Sequence, residues 1–175
     1  DVTFDEAAFG GDKVIRLSDA QGSNVAGKSL KVHIPAGISD GKSIRLRGKG
    51  MPGVSGGRAG DSLLKVRVGK RPGFERKDMD VYSTVMIPFT TAVLGGEAVV
   101  QTLTGRVVCK INPGTQSGTK IRLKGKGIVS MKDAGRYGDQ YVTVQIDVPK
   151  NLSNEAKRKL KEFEAACRNG SRGAA

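Results

Sequence analysis

The sequence has no tryptophan, one histidine, two cysteines and only 5% aromatic residues. His33 falls at an outward position of a predicted strand, which favours a solvated or structural role over a metal or catalytic one. Cys109 and Cys167 are far apart and match no metal-ligand spacing, so we expect a reducing compartment, the cytoplasm. No apolar run approaches the roughly 20 residues of a membrane span, and no signal peptide is present at Asp1, so we expect no membrane association.

Glycine and basic residues, by contrast, are abundant. The 25 glycines cluster between apolar runs, as the turns of a β protein require. The chain has 30 Lys and Arg against 17 Asp and Glu, a net charge of +13. Such a charge indicates anionic partners and says nothing about the fold.

A long internal repeat organises the chain. Residues 34–50 return as residues 111–127, and both copies contain Ile-Arg-Leu-(Arg/Lys)-Gly-Lys-Gly. A repeat of this length predicts one folding unit built twice. We therefore predict a mainly β protein of two tandem homologous domains, each a small sandwich or partly open barrel with a short helix. The boundaries are 1–70, 71–150, and 151–175 for a C-terminal helix and tail.

Alternating apolar residues predict the strands of both units. They are placed at 14–17, 30–34, 43–47 and 64–68, and at 81–87, 98–102, 106–111, 120–124 and 141–148. Residues 5–9 are predicted to form a short helical turn, and Thr104-Gly105 a tight hairpin. The copies are offset by 85 residues at Phe4 but by 77 at Gly37, so the first unit alone contains an insertion between its second and third strands.

An amphipathic helix is predicted after Pro149. Ser153 is a suitable N-cap, and Ala156, Leu160, Phe163 and Cys167 share one face. A short helix cannot bury this stripe by itself. The helix therefore packs either on the second domain or on the same helix of a second copy, which would make a homodimer.

Candidate catalytic motifs are weak. Residues 48–53 match G-x-G-x-x-G, but Pro52 and the glycines after it oppose the helix that a dinucleotide site needs, so we interpret the motif as a turn. Asp61 and Asp139 begin equivalent strands and are predicted to cap turns instead of acting as bases. We expect a non-enzymatic protein without cofactor or metal.

Basic stripes are the strongest electrostatic feature. They consist of Arg45, Arg47 and Lys49 in one copy and Lys120, Arg122, Lys124 and Lys126 in the other. Each stripe is either a solvated sheet face or a phosphate-binding surface, because contacts to phosphate require no sequence code. No aromatic residues alternate with these cations along the chain, which weakens the case for single-strand binding. A basic DNA-binding module remains the alternative function.

The repeated segments together resemble the C-terminal substrate-binding region of DnaJ-type J-domain co-chaperones. The similarity covers residues 1–168 and rests on Phe4, Ala8-Phe-Gly-Gly11, Ile34-Pro-Ala-Gly37, Arg71-Pro-Gly-Phe74 and their second copies. Residues 18–27 have no Cys-x-x-Cys repeats, so the chain resembles the zinc-free class. It contains no His-Pro-Asp signature of a J-domain. The sequence starts within a strand, which indicates a piece of a longer protein. Because the first strand begins late, we expect one wall of the groove to be shortened in this chain.

The resemblance implies a function and a set of site residues. Such relatives hold unfolded or misfolded polypeptides and deliver them to a DnaK-type seventy-kilodalton heat-shock chaperone. By position, the client-binding residues are Ile15, Leu17 and Leu64. The alternative is that these three residues are only part of the core. The acidic tail of the partner chaperone is expected on Lys13, with Lys28 or Lys31. Dimerisation is expected through Leu160, Phe163 and Cys167 of the C-terminal helix.

Overall fold

The structure, a computed structural model, describes residues 1–16, 29–51, 53 and 57–170. The first unit contains α1 (Phe4–Phe9), β1 (Gly11–Arg16), β2 (Ser29–Ile34), β3 (Ser43–Leu46) and β4 (Ser62–Lys65). The second contains β5 (Glu75–Lys77), β6 (Asp80–Pro88), α2 (Phe89–Leu94), β7 (Gly96–Thr102), β8 (Gly105–Ile111), β9 (Lys120–Leu123) and β10 (Gln140–Asp147). Helix α3 (Asn154–Gly170) follows the second unit.

The sheets confirm the predicted mainly β fold. One sheet has the order β5-β6-β10-β9, and β1–β2, β3–β4 and β7–β8 each form a two-stranded sheet. Strands β6 and β10 are parallel, while the other strand pairs are antiparallel. None of these sheets closes on itself within the described ranges, which matches a sandwich or open barrel. The predicted insertion lies mostly at residues 17–28, outside the described residues.

The two units differ at their first strand. In the second unit, β6 pairs with β10 from Val81–Gln140 to Pro88–Asp147. In the first, the equivalent contact is one parallel bridge between Val2 and Val68. The first unit thus has one bridge where the second unit pairs eight positions.

Strand bounds differ from the sequence prediction in several places, and β4 and β5 are the clearest cases. Strand β4 ends at Lys65 instead of continuing to Val68, because the following residues change partner: Val66 donates its N–H to the carbonyl of Lys42, and Val68 to the Asp40 carboxylate. Strand β5 was not predicted, since three residues with the sequence Glu-Arg-Lys show no apolar alternation.

A buried cluster joins the two units. Phe4 and Ala8 of α1 pack with Val81, Leu103 and Ile128 of the second unit, and Phe74 borders the cluster. These contacts give the two units a shared interior at the point where they meet.

Polar contacts close the same junction. The Arg76 guanidinium donates 2.7 Å hydrogen bonds to the carbonyl oxygens of Gly37 and Ile38. Gly37 has φ +82°, and a Cβ atom on it would overlap the carbonyl oxygen of Val129. The backbones of the two units therefore approach too closely at Gly37 for any side chain.

Aliphatic residues dominate the cores, as the shortage of aromatics predicts. The first unit buries Val2, Ala7, Val32, Ile34, Ile38 and Val66. The second unit buries Ile87, Ala92, Ala98, Val100, Cys109, Ile111, Val142 and Val144. In the part of the chain that the structure describes, no helix is long and apolar enough to cross a membrane.

Candidate functional site

Ile15 and Leu64 lie on one apolar surface of the first unit. Ile15 pairs with Leu30 across the β1–β2 hairpin, and Leu64 pairs with Ile44 across β3–β4. Both side chains are half-buried and pack against the core cluster of the first unit. The structure thus brings these two predicted residues to the same cluster. Leu17, the third, lies outside the described residues.

The strand that carries Ile15 has a free edge. Strand β1 pairs with β2 alone among the described strands, so its other edge presents unpaired N–H and C=O groups. Such an edge accepts an additional strand, with side-chain pockets selecting alternate residues. The preceding residue, Val14, lies on the opposite face of the strand, and it is 65% exposed.

The same positions are sealed in the second unit. The repeat places Val100 at the position of Ile15 and Val142 at that of Leu64, and these are 2% and 0% exposed. Val85 of β6 packs against the cluster that contains both. The equivalent positions are thus fully buried in the second unit and half-buried in the first.

Two of the three predicted tail-binding lysines are already ion-paired. Lys13 Nζ lies 2.9 Å from Glu6 Oε2, and Lys31 Nζ lies 2.8 Å from Asp12 Oδ2. His33 Nδ1, on the outward face as expected, contacts the other oxygen of Asp12 at 2.9 Å. Lys28 lies outside the described residues. An incoming carboxylate must therefore compete with Glu6 and Asp12.

These ion pairs shift the pKa of Glu6, Asp12 and Lys31. The hydrogen bond from Lys13 lowers the pKa of the Glu6 carboxyl, and the backbone N–H of Thr3 lowers it further. The hydrogen bond from Lys31 lowers the pKa of Asp12, and the same bond raises the pKa of Lys31. With their pKa values moved in these directions, Glu6, Asp12 and Lys31 stay charged at neutral pH.

Asp61 and Asp139 cap equivalent turns, as predicted. Asp139 accepts hydrogen bonds from the Gly125 N–H at 2.8 Å and from Arg122 Nε at 2.6 Å. Asp61 makes the same two contacts with Gly48 and Arg45, at 2.8 and 2.6 Å. The turn interpretation of the glycine motif is confirmed at Gly48, whose φ is +64°. Each basic stripe thus has its arginine at this position held by an aspartate.

We expect these turns to lose stability in acid. The Gly125 N–H, followed by Arg122, lowers the pKa of Asp139. A carboxyl with a lowered folded-state pKa stabilises the fold above its unfolded pKa of about 3.9, and this contribution disappears as the pH falls through the folded value. Asp139→Asn should therefore lower the melting temperature at pH 7 and make its decline toward pH 3 shallower.

The matched control is Asp147→Asn, at the exposed end of β10. Thermal melts of both variants and the parent protein between pH 3 and pH 7 make the comparison. Parallel pH profiles for Asp139→Asn and the parent would contradict a stabilising role of the Asp139 carboxylate.

A tyrosine pair lies beside the basic stripe, and no local sequence pattern predicts it. Tyr82 and Tyr141 occupy neighbouring positions on β6 and β10, and their rings stack with centroids 5.3 Å apart. Tyr141 also lies opposite Arg122 of β9. The residues are distant in sequence, and only the parallel register of β6 and β10 brings them beside the basic stripe.

Helix α3 leaves its apolar stripe largely uncovered. Ser153 caps the helix as predicted, its hydroxyl accepting the Ala156 N–H at 3.1 Å. The Phe163 ring contacts Phe89 of α2 edge-on, with centroids 6.4 Å apart. Even so, Leu160 and Phe163 are each 44% exposed, and Cys167 is exposed. Phe163 thus reaches the second unit, while Ala156 is half-buried and Leu160 remains largely exposed.

The arrangement is that of two related β units in tandem followed by a helix. Within the described ranges, no group of three or more His, Cys, Asp or Glu side chains is placed to hold a metal ion. The two units, the shared junction and the terminal helix define a tandem β-domain region with an apolar surface in its first unit.

Comparison with known proteins gives the family. The family described as DnaJ C terminal domain matches residues 1–149, and the chain belongs to it. Chaperone protein DnaJ of Lachnospira eligens is 46% identical over 139 residues, 79% of this chain and 37% of the relative. Chaperone protein DnaJ of Ruminiclostridium cellulolyticum is 50% identical over 136 residues, 78% of this chain and 36% of the relative. The chain thus spans little more than a third of the length of these relatives. Their names do not support the DNA-binding alternative.

Proposed function

We propose that this chain is the client-binding region of a cytoplasmic, non-enzymatic co-chaperone, which holds unfolded polypeptides and delivers them to a DnaK-type chaperone. The observation that carries the proposal is the half-buried pair Ile15 and Leu64 beside the free edge of β1. Membership of the DnaJ C-terminal family and the chaperone names of the relatives support the same role.

The chemistry of an unfolded chain suits this surface. Such a chain exposes apolar side chains together with unpaired backbone groups. The edge of β1 satisfies the backbone groups, and alternate side chains of the bound segment bury apolar area against Ile15 and Leu64. Because neither contribution depends on a particular client sequence, binding is broad and reversible.

The adjacent ion pairs suit the acidic tail of a partner chaperone. Lys13 has its aliphatic stem on the Ile15 side of β1, and its ammonium is held by Glu6. A tail with several carboxylates exchanges one charge-assisted partner of Lys13 or Lys31 for another. The exchange leaves Glu6 or Asp12 without its cation, so the tail binds weakly and releases readily.

The open stripe of α3 suits a second copy of the chain. Pairing two such helices buries both stripes through one isologous contact. In the resulting V-shaped dimer, both grooves bind the same extended client. Once one groove is occupied, binding to the second groove is intramolecular and is strengthened by the high effective concentration of the client.

Ile15→Ser tests the groove, with Val14→Ser as its matched control on the opposite face of the same strand. We expect Ile15→Ser to weaken the suppression of client aggregation several-fold and Val14→Ser to leave it unchanged. Since Ile15 also touches the core, the assay is run well below the melting temperature of both variants. Equal client binding by the two variants would contradict the groove assignment.

Salt dependence and backbone methylation of a client peptide distinguish apolar capture, phosphate binding and strand addition. Apolar capture changes little with salt, whereas phosphate binding weakens steeply. A client peptide N-methylated on alternate amides, on either register, should bind less tightly than the parent peptide if β1 adds a strand. Unchanged affinity of both methylated peptides would exclude strand addition.

A further inference from the structure

The two lysines of β1 and β2 that are expected to bind an acidic tail lie on opposite faces of their hairpin. Lys13 pairs in register with Val32, whose side chain is buried, so Lys13 is on the inner face together with Ile15. Lys31 pairs with Val14, which is exposed, so Lys31 is on the outer face. An acidic segment along the inner face therefore meets Lys13 beside Ile15, while Lys31 belongs to the other side of the hairpin.

The ammonium group of Lys13 is held by both oxygens of one carboxylate. Its Nζ lies 2.9 Å from Glu6 Oε2 and 3.2 Å from Glu6 Oε1. The side chains of Lys13 and Glu6 are 33% and 38% exposed, whereas those of Lys31 and Asp12 are 69% and 45% exposed. Because solvent screens an exposed ion pair more strongly, the pair of Lys13 with Glu6 is the harder of the two to displace.

Helix α1 fixes Glu6 in this position. Glu6 is the third residue of the helix, and its carboxylate also accepts the Thr3 N–H at 2.7 Å, while the Thr3 hydroxyl accepts the Glu6 N–H at 3.1 Å. The helix is itself anchored, because Phe4 and Ala8 are buried against the second unit. The carboxylate is therefore held beside Lys13 at a high effective concentration, against which a carboxylate from solution must compete.

The fold of a unit does not require this ion pair. At the positions of Glu6 and Lys13, the second unit has Thr91 and Ala98. Helix α2 still forms there, with Pro88 as its N-cap and no side-chain hydrogen bond at the cap. The ion pair is thus an addition to the first unit, the one with the apolar client surface.

We propose that Glu6 is an autoinhibitory group, whose carboxylate occupies Lys13 until an acidic polypeptide displaces it. This role rests on the proposed function, in which Lys13 receives the acidic tail of a partner chaperone. A lone carboxylate only replaces one charge-assisted partner of Lys13 by an equivalent one. An acidic polypeptide makes further contacts along the free edge of β1, and these offset the separation of Glu6 from its cation. Glu6 therefore lowers the affinity of the site and competes with a bound tail.

Glu6→Gln tests the inhibitory role and keeps the helix cap, because glutamine at this position of a capping box accepts the same N–H. Fluorescence anisotropy of a labelled hexaglutamate peptide measures the affinity. We expect Glu6→Gln to bind this peptide about two- to five-fold more tightly than the parent protein does, the range that follows from releasing a partly exposed ion pair. Hexaglutamine with the same label reports binding that does not depend on carboxylates.

Asp12→Asn is the matched control, because it also removes one carboxylate from a lysine and raises the net charge by one. The lysine that it releases is Lys31, on the outer face of the hairpin. General attraction between hexaglutamate and the positively charged protein increases equally in both variants. Asp12→Asn should therefore gain less affinity than Glu6→Gln.

Lys13→Ala separates the inhibitory role from the tail site itself, and it should lose most of the hexaglutamate binding. If it does, but Glu6→Gln binds no more tightly than the parent protein, the tail site stands and the inhibitory role of Glu6 is wrong. Equal gains in Glu6→Gln and Asp12→Asn would also overturn that role, because the effect would then be one of net charge. Undiminished binding by Lys13→Ala would exclude both the tail site at Lys13 and its inhibition. Thermal melts establish that each variant is folded.

Discussion

Gly37→Ala should destabilise the protein by about 2–5 kcal/mol, because it combines two separate costs. A residue with a side chain at φ +82° loses roughly 1–2 kcal/mol relative to glycine. The new methyl group would also overlap the Val129 carbonyl oxygen, and relieving such overpacking costs about 1–3 kcal/mol. In a chain of this size, we expect the melting temperature to fall by roughly 10 °C.

The repeat supplies the matched control. Gly114 occupies the equivalent position in the second unit, has φ +78°, and would have nothing within 4 Å of an added Cβ atom. Gly114→Ala therefore carries the backbone cost alone, about 1–2 kcal/mol. Differential scanning calorimetry of the two variants isolates the contact between the units. Equal losses of stability at both positions would show that the close approach to Val129 adds nothing.

Leu160→Asp should convert a dimer into a monomer at micromolar concentration. In a symmetric pair of α3 helices, the change buries two unpaired carboxylates per interface, and each costs at least several kcal/mol unless it is protonated or solvated. The dissociation constant should therefore rise by a factor of about a thousand or more. Sedimentation equilibrium over a range of concentrations measures it.

Ala165→Asp adds the same charge to the opposite face of α3 and serves as the control. It should leave the dimer intact, because Ala165 lies about half a turn from the apolar stripe. If the parent protein sediments as a monomer, the stripe serves the second unit alone and the two-groove mechanism is lost. Client binding by the Leu160→Asp monomer should then equal that of the parent protein.

Local pattern was enough to predict the repeated architecture. Alternation located most strands, because one face of each strand contacts a core, and the glycine spacing located the turns. Asp61 and Asp139 are predicted as turn caps for a similar reason. Each follows an Arg-Leu-x-Gly segment at nearly the same distance along the chain, so the two occupy equivalent positions of the repeat. These features depend on neighbours in sequence or on the repeat itself.

Features set by long-range register could not be predicted. The stack of Tyr82 on Tyr141 requires the parallel pairing of β6 with β10, and neither segment contains a sequence signal for that pairing. The pairing of Lys13 with Glu6 depends on how α1 lies against β1. The junction is similar: Gly37 and Gly114 occupy equivalent positions of the repeat, and only the fold determines which backbone lies beside each of them.

The edge-on contact between Phe163 and Phe89 places α3 against the outer side of the second unit. Phe89 repeats Phe4, whose ring is covered by the following unit. No third unit follows in the described chain, and Phe163 takes its place over Phe89. An array of like units that ends without such a cover leaves its last interface available to the first unit of another molecule, and contacts of that kind propagate head to tail. Phe163 covers part of Phe89 and so leaves less of this face for such a contact.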